Sequence, residues 1–315
     1  MKRLFLSCTA LAVGVAACAP AASRPTPPPR VNADLLISAE QLAARVADPQ
    51  LVVLHVARER SDYDAGHLPG AHFLPLRSIV EDRDGNVNEL PPVERLDSIF
   101  ESVGVGDASR VVVYGDLGGL SAARAFFTLD YLGHPRVAVL DGGLAAWRLE
   151  ERPVSTQPVT ATPGTFTPRP QPYRVVHADW VRARTDSARF ALVDARPPAE
   201  YTGETPGAGI TRPGHLPGAR NLFWRNTLLS EERPVLRTPR VLRGMLRLAG
   251  VEPGRTVVVY CRTGVQASHL YFVSRYLGYE TRIYDASYAD WNRRPDYPVV
   301  RGAAASDSVR SGAPR

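Results

Sequence analysis

The chain has 315 residues, 44% of them hydrophobic, which is enough for about two domains that each enclose a core. Its formal net charge of +6 comes from dispersed residues, with no basic run and no basic patch interleaved with aromatic side chains. This pattern argues against a nucleic acid partner and leaves only a mild attraction for small anions.

The first 18 residues are predicted to be an export signal. Lys2 and Arg3 precede a short apolar run from Leu4 to Val15, which is shorter than the roughly 20 residues of a transmembrane helix. Residues 15–18, Val-Ala-Ala-Cys, resemble the lipobox of bacterial lipoproteins, in which cleavage leaves a lipid-bearing cysteine, here Cys18, at the new N-terminus. An ordinary signal peptide cut after an A-x-A-like site is the alternative. We expect an exported, periplasmic protein, anchored to a membrane if Cys18 is lipidated.

Three segments of biased composition divide the rest of the chain. Residues 19–33 are rich in proline and alanine and should form a tether, and residues 301–315 should be a disordered tail. Residues 153–172, with several prolines and threonines, should be a linker. They leave two predicted domains, residues 34–152 and 173–300.

The two predicted domains repeat each other. Four motifs recur in the same order at offsets of 138 to 148 residues, which indicates a duplicated domain. The change in offset places an insertion of ten residues in the second copy, near Thr202 to Arg212. The recurring pairs are Ala57-Arg58 with Ala195-Arg196, GHLPGAH at Gly66 with GHLPGAR at Gly214, VVVYGD at Val111 with VVVYCR at Val257, and Asp141…Trp147 with Asp285…Trp291.

Each copy alternates apolar strand patterns with amphipathic helix patterns. Such alternation predicts an α/β fold in which a mainly parallel sheet is covered by helices on both faces. In the second copy, the predicted strands are Phe190 to Val193, Val257 to Tyr260 and Thr281 to Tyr284, and the predicted helices are Ala178 to Arg184, Pro239 to Leu248 and Ala267 to Leu277.

Cys261 would be the lone thiol of the folded part, since Cys8 would leave with the signal and Cys18 would carry lipid. No internal disulfide framework is then possible. Cys261 lies where a buried strand enters a short loop before a helix, so backbone N–H groups of residues 262–267 and the helix N-terminus can converge on it. This environment favours a reactive thiolate with a lowered pKa. A buried, inert cysteine is the alternative.

These motifs resemble the tandem-domain rhodanese family of sulfurtransferases over about Leu35 to Pro298. The resemblance implies an α/β sheet in each domain and catalysis in the C-terminal copy. Asp116 is assigned to the place of Cys261 in the first copy, so that copy should be inert and shape one wall of the cleft. The motifs that carry the resemblance are LVDAR from Leu192, Glu200-Tyr201, GHLPGAR and CRTGVQAS.

The resemblance also implies a mechanism and a set of site residues. Cys261 would take a sulfane sulfur from a small anionic donor as a persulfide and pass it to cyanide or a thiol, with no metal or organic cofactor. Arg196 would bind the donor, with a salt-bridged structural arginine as the alternative. Arg262 and Thr263 would also contact the donor. The backbone N–H groups of Gly264, Val265, Gln266 and Ala267 would form the persulfide cradle.

The loop CRTGVQ leaves the donor open between two types. Thiosulfate-type loops resemble C-R-K-G-V-T and mercaptopyruvate-type loops resemble C-G-S-G-V-T. Arg262 matches the first type and the hydroxyl of Thr263 stands for the second, and we favour thiosulfate over 3-mercaptopyruvate. A module that carries persulfide or senses redox state without turnover is a further alternative.

Two other kinds of site are disfavoured. A cysteine phosphatase needs an arginine six residues after its nucleophile, and that position is Ala267. A metal site would need a second cysteine or a spaced pair of histidines near Cys261, which the sequence lacks.

Overall fold

The computed structural model describes residues 26–303. The predicted export signal with its predicted lipidation site Cys18, the first part of the tether and most of the tail lie outside the described residues. Within residues 26–303, the helices are too short or too polar to cross a membrane.

Two parallel five-stranded sheets form the frame of the molecule, one in each half of the chain, and a small antiparallel hairpin extends the first half. The predicted α/β fold with two mainly parallel sheets is confirmed. In the first half the strands are β1 (Leu36–Ile37), β2 (Leu51–Ala57), β3 (His72–Pro75), β4 (Glu81–Arg83), β5 (Asn86–Glu89), β6 (Arg110–Gly115) and β7 (Val137–Leu140). In the second half they are β8 (Val175–Val176), β9 (Phe190–Asp194), β10 (Arg220–Asn221), β11 (Thr256–Tyr260) and β12 (Thr281–Tyr284).

Equivalent strands have the same order in both sheets. The central strand is β11, which precedes Cys261, in the second sheet and its counterpart β6 in the first. The first sheet runs β1-β7-β6-β2-β3 and the second runs β10-β9-β11-β12-β8. Strand β11 is a continuous run of buried valines because helices cover both faces of its sheet.

Helices flank each sheet. Those of the first half are α1 (Ala39–Ala43), α2 (Arg60–Asp64), α3 (Val93–Ser102), α4 (Leu120–Tyr131) and α5 (Gly143–Leu149). Those of the second half are α6 (Ala178–Arg182), α7 (Pro198–Thr202), α8 (Pro239–Leu248), α9 (Val265–Tyr276) and α10 (Ser287–Asn292). Short 3-10 helices occupy Ala33–Leu35, Leu76–Ile79, Leu117–Gly119, Pro172–Arg174 and Trp224–Thr227.

The predicted elements of the second copy agree with these bounds to within two residues. Helix α8 has the predicted limits, whereas α9 begins two residues earlier than predicted, at Val265. This earlier start brings the first turn of α9 close to Cys261. The inserted segment, residues 203–212, contains no helix or strand.

The two halves share one hydrophobic core, and helices α4 and α9 form its centre. The ring of Phe126 meets that of Phe272 edge-on at 5.0 Å between centroids, and Phe127 meets Tyr271 in the same way at 5.0 Å. Both helices are buried on nearly all sides, so they join the domains tightly. The first domain can therefore place side chains beside the loop that follows β11.

Candidate active site

Cys261 follows the last residue of β11 and is only 2% exposed. Its backbone N–H donates to Ser287 Oγ at 3.1 Å, and its carbonyl accepts the N–H of Tyr288 at 3.0 Å. The segment that follows β12 therefore fixes the backbone of Cys261 with two hydrogen bonds. Within residues 26–303, Cys261 is the unpaired cysteine, and no group of three metal-ligating side chains surrounds it or any other point.

A cradle of backbone N–H groups faces the thiol. Gly264 N–H donates to Cys261 Sγ at 3.1 Å, and the N–H groups of Ala267 and Thr263 also bond the sulfur and lower its pKa. Val265 and Gln266, predicted as further donors, are the first two residues of α9 and lie between Gly264 and Ala267 in the chain. The structure thus brings three N–H groups onto the sulfur, as a site for negative charge requires.

Burial has the opposite and larger effect on the thiol. It raises the pKa of Cys261 above the ordinary value, and the three backbone hydrogen bonds offset this only in part. The prediction of a lowered pKa is therefore wrong for the resting structure. The reason is that the sequence shows which N–H groups lie near the sulfur but not how completely water is excluded from it.

Gly264 has to be glycine at this point of the loop. Its φ of 89° lies in the left-handed region, which glycine adopts freely. A Cβ atom here would lie 2.6 Å from Asp285 Oδ1 and 2.8 Å from the Asp285 carbonyl oxygen. The close packing against Asp285 keeps the Gly264 N–H directed at the sulfur.

Asp285 is held by an arginine of the other domain. Arg124 of α4 binds it with both terminal nitrogens, Nη1 to Oδ1 at 2.5 Å and Nη2 to Oδ2 at 3.0 Å, and both side chains are buried. Sequence reasoning missed Arg124. Its signal was an arginine in the middle of an otherwise small and apolar helix, Leu120 to Leu129, where a buried charge needs a partner.

Thr263, predicted to contact the donor, borders the first domain. The side-chain amide of Asn88, in β5, donates to Thr263 Oγ1 at 3.2 Å. The Asn88 carbonyl accepts from Arg124 Nη2 at 2.7 Å. The first domain thus forms one wall beside the catalytic loop, which agrees with the role expected for it.

Arg262, the other predicted donor contact, lies at the surface with its side chain 34% exposed. Its Nη1 is 3.5 Å from Oε1 of Glu200, whose side chain is 14% exposed. The inserted segment packs on this pair, since a Cβ on Gly207 would lie 2.6 Å from Glu200 Oε2 and 2.9 Å from Arg262 Cδ. The positive charge beside Cys261 is therefore available but partly neutralised.

Arg196, predicted to bind the donor, is completely buried. Its Nη2 donates to Asp194 Oδ2 at 2.5 Å and to the Gly214 carbonyl at 2.8 Å, and its Nε donates to Asp194 Oδ1 at 3.0 Å. The structure contradicts the donor-binding role, because this guanidinium has no exposed surface. The arginine instead joins the end of β9 to the GHLPGAR turn, and Asp194, two residues earlier, was the signal for this pairing.

The equivalent loop of the first domain carries no thiol. The hydroxyls of Tyr114 and Tyr260 accept the N–H of Leu68 and Leu216 at 3.0 and 3.2 Å, so the two tyrosines are equivalent. The residue after each tyrosine is then also equivalent, and Gly115 occupies the place of Cys261. The assignment of Asp116 to that place is wrong by one residue.

The structure also closes that place to a side chain. A Cβ on Gly115 would overlap the Val56 carbonyl oxygen and lie 3.1 Å from the Ala122 nitrogen. Asp116 accepts the N–H of Arg58 at 3.1 Å and bonds the hydroxyl of Ser121. The loop that follows β6 therefore has no thiol at the position equivalent to Cys261.

Comparison with known proteins identifies the type of domain. The Rhodanese-like domain family matches residues 38–150 and 177–294. A sulfur carrier protein, TtuD, of Thermus thermophilus is 31% identical over 85% of this chain and 97% of its own. A thiosulfate sulfurtransferase of Azotobacter vinelandii is 32% identical over 84% of this chain and 96% of its own.

Two further matches cover a similar share of this chain. A probable 3-mercaptopyruvate sulfurtransferase of Pseudomonas aeruginosa is 32% identical over 85% of this chain and 98% of its own. The solved structure of an anaerobic ergothioneine biosynthesis enzyme from Chlorobium limicola superposes with a TM-score of 0.78 at 24% identity, covering 86% of this chain and 71% of that one. The structural match shows a shared fold.

Proposed function

The chain belongs to the tandem rhodanese-like sulfurtransferases, and from that premise we propose that Cys261 carries sulfane sulfur from thiosulfate to a thiophilic acceptor such as cyanide or a thiol. The observation that carries this proposal is the cradle of three N–H groups, from Thr263, Gly264 and Ala267, on the Cys261 sulfur. Such a cradle stabilises negative charge on the sulfur in both the thiolate and the persulfide.

The reaction has two displacements at sulfur. The Cys261 thiolate attacks the outer sulfur of thiosulfate, a new S–S bond forms, and the S–S bond of thiosulfate breaks so that sulfite leaves with the electron pair. The acceptor then attacks the outer sulfur of the persulfide. With cyanide, a C–S bond forms and the S–S bond of the persulfide breaks, so that thiocyanate is released and the electron pair restores the Cys261 thiolate. No oxidant or reductant is consumed.

Arg262 supports an anionic donor, and thiosulfate in particular. It follows the nucleophile directly and keeps a third of its side chain exposed, so a dianion that approaches the sulfur meets its charge. Thr263 supports 3-mercaptopyruvate as the alternative, since its hydroxyl can donate a hydrogen bond to a carbonyl or carboxylate. Arg196 is not part of this proposal because of its burial.

A carrier without turnover is the second candidate function. Cys261 is 2% exposed, and such burial suits a persulfide that is protected until a partner docks. The name of the Thermus relative, sulfur carrier protein, favours the same alternative. In that case the acceptor would be one protein thiol, and cyanide would be a poor substitute.

A paired steady-state assay tests the proposal. The mature protein is given thiosulfate or 3-mercaptopyruvate with cyanide as acceptor, and thiocyanate is measured beside the Cys261→Ser variant. Turnover with a higher kcat/KM for thiosulfate, absent in the variant, is the expected result. A higher kcat/KM for mercaptopyruvate would overturn the donor assignment. Persulfide formation in a single step without turnover would establish the carrier.

We further propose that the protein is exported and held at a membrane by lipid on Cys18. The charged start, the short apolar run and the lipobox-like Val-Ala-Ala-Cys support this placement. The mass of the mature N-terminus tests it. A lipid-bearing fragment that begins at Cys18, lost in Cys18→Ser, is the expected result, and a plain fragment from a cut elsewhere would contradict it.

A further inference from the structure

The two domains meet in a nearly symmetric way around α4 and α9. Arg124 is the fifth residue of α4, and His269 is the fifth residue of α9. Two aspartates are also equivalent: Asp141 Oδ1 accepts the N–H of Leu236 at 2.8 Å, and Asp285 Oδ2 accepts the N–H of Leu90 at 3.0 Å. Each aspartate thus binds a backbone N–H of the opposite domain.

The symmetry fails at one place. Arg124 pairs with Asp285, whereas His269 turns to Thr227, with 2.8 Å between its Nε2 and Thr227 Oγ1. Burial lowers the pKa of His269 to about 4, so this side chain is neutral and cannot form the equivalent ion pair with Asp141. The arginine is therefore present only beside the loop that contains a thiol.

The ion pair touches the cradle itself. A Cβ on Gly264 would lie 2.6 Å from Asp285 Oδ1 and 3.3 Å from Arg124 Nη1, so the pair forms the surface on which Gly264 rests. Arg124 also holds the carbonyl of Asn88, whose side chain binds Thr263. One guanidinium thus supports two of the three residues whose N–H groups face the Cys261 sulfur.

Stability alone is a weak reason to bury this pair. Moving two charges out of water costs roughly as much free energy as their attraction regains, and an apolar pair of equal size often stabilises a fold as well. The symmetric site around Asp141 shows that this interface can be built without an arginine. A role in the chemistry of the loop accounts for the difference between the two sites.

We propose that Arg124 is a positioning residue for Cys261, acting from the inactive domain through Asp285 and Asn88 to hold Gly264 and Thr263 around the sulfur. The inference rests on the proposed function for its catalytic consequence. The first domain then does more than cover the second, since it sets the conformation of the loop in which the persulfide forms.

Three ion pairs lie on the segments that pack around the loop. Asp194, next to Tyr260 in the sheet, pairs with Arg196, Glu200 pairs with Arg262, and Asp285 pairs with Arg124. The Asp194 charge raises the pKa of the Cys261 thiol. Loss of Arg124 alone leaves the negative Asp285 next to the cradle, which disfavours the thiolate. Loss of the Asp285 charge alone leaves the positive Arg124 next to the cradle, which favours the thiolate.

The test is the pH profile of Cys261 alkylation by iodoacetamide, measured on the full chain without any sulfur donor. Arg124→Met should move the midpoint to higher pH by about one unit, a roughly tenfold lower rate at neutral pH. Asp285→Asn should move it to lower pH. Arg124→Lys should restore the midpoint while leaving the rate of persulfide formation reduced. The matched control is Asp141→Asn, which makes the same change at the symmetric site and should leave the profile unchanged.

The outcomes separate the two proposals. Wild-type profiles in folded Arg124→Met and Asp285→Asn would overturn the positioning role, as would an equal shift in Asp141→Asn. A purely structural role would lower the unfolding midpoint without moving the profile. If Arg124→Met does not fold, Asp285→Asn, which keeps an acceptor for Leu90 N–H, provides the test. If the variants shift the pH profile of alkylation but the wild-type protein transfers no sulfur, the positioning role stands and the proposed function is contradicted.

Discussion

Asn88 of the first domain donates a hydrogen bond from its side-chain amide to the hydroxyl of Thr263, two residues after the nucleophile, at 3.2 Å. The two residues are 175 positions apart: Asn88 lies in β5 of the first half, and Thr263 lies in the loop between β11 and α9 of the second half. A side chain of the first domain therefore holds the hydroxyl of a residue in the loop that follows Cys261.

Asn88→Gly tests this contact. Glycine accepts the left-handed backbone of position 88, where φ is 62°, so the variant removes the hydrogen bond without new strain. One such bond is worth about 0.5–1.5 kcal/mol, and we expect kcat/KM to fall about two- to tenfold. Steady-state kinetics of Asn88→Gly, Thr263→Val and the double variant check this. If the two losses simply add, the residues do not act through each other.

Glu200 should limit the preference for thiosulfate. Its carboxylate neutralises part of the Arg262 charge, so Glu200→Gln should raise kcat/KM for the dianion more than for 3-mercaptopyruvate. The pair is partly exposed, and the expected gain is about two- to fivefold. Assays with both donors give the ratio. Glu204→Gln removes the same charge at an exposed position nearby and should leave the ratio unchanged; an equal change there would reduce the effect to net charge.

The rate of Cys261 alkylation should rise with pH throughout the neutral range. Burial raises the pKa of the thiol, and only the thiolate reacts, so the rate should increase about tenfold per pH unit until it reaches a plateau above the midpoint of a free cysteine. Iodoacetamide kinetics from pH 6 to 10, with glutathione alongside, measure both midpoints. A plateau already reached at pH 7 would mean that the N–H cradle outweighs burial.

Part of this site was visible in the sequence because the relevant pattern is local. The repeated motifs and the run of apolar residues before Cys261 indicate two parallel sheets and a loop at the edge of the second. Cys261 and its cradle donors follow one another along the chain, so their proximity needs only a strand, a turn and a helix.

The remainder depends on contacts between distant residues. Arg124 and Asp285 are 161 positions apart, and only the packing of α4 on α9 brings them together. Arg196 shows a different difficulty, since its motif is compatible with donor binding until the burial of Asp194 is known. The pKa of Cys261 was misjudged for the same reason: burial depends on the whole fold.

Gly264→Ala should slow persulfide formation far more than backbone strain alone would. The alanine Cβ would lie 2.6 Å from Asp285 Oδ1, so the loop must move and the N–H that faces the sulfur moves with it. Gly254 provides a matched control, with φ of 85° and no atom within 4 Å of the added Cβ. Both variants incur about 1–3 kcal/mol of strain, but only Gly264→Ala should slow persulfide formation, by at least about tenfold. Equal rates in the two variants would show that the contact with Asp285 does not hold the cradle.

Arg196→Met should destabilise the protein without a specific effect on donor binding. The substitution leaves Asp194 buried and unpaired, and breaking a buried pair in this way costs about 3–5 kcal/mol. Urea unfolding measures the loss, and Arg58→Met, at the exposed equivalent position of the first domain, should change the unfolding free energy by less than about 0.5 kcal/mol. A donor-binding arginine would behave differently, with a raised KM for thiosulfate and little change in stability. Because the buried Arg196 guanidinium donates its hydrogen bonds to Asp194 and the Gly214 carbonyl, we expect the KM of the folded fraction to stay at the wild-type value.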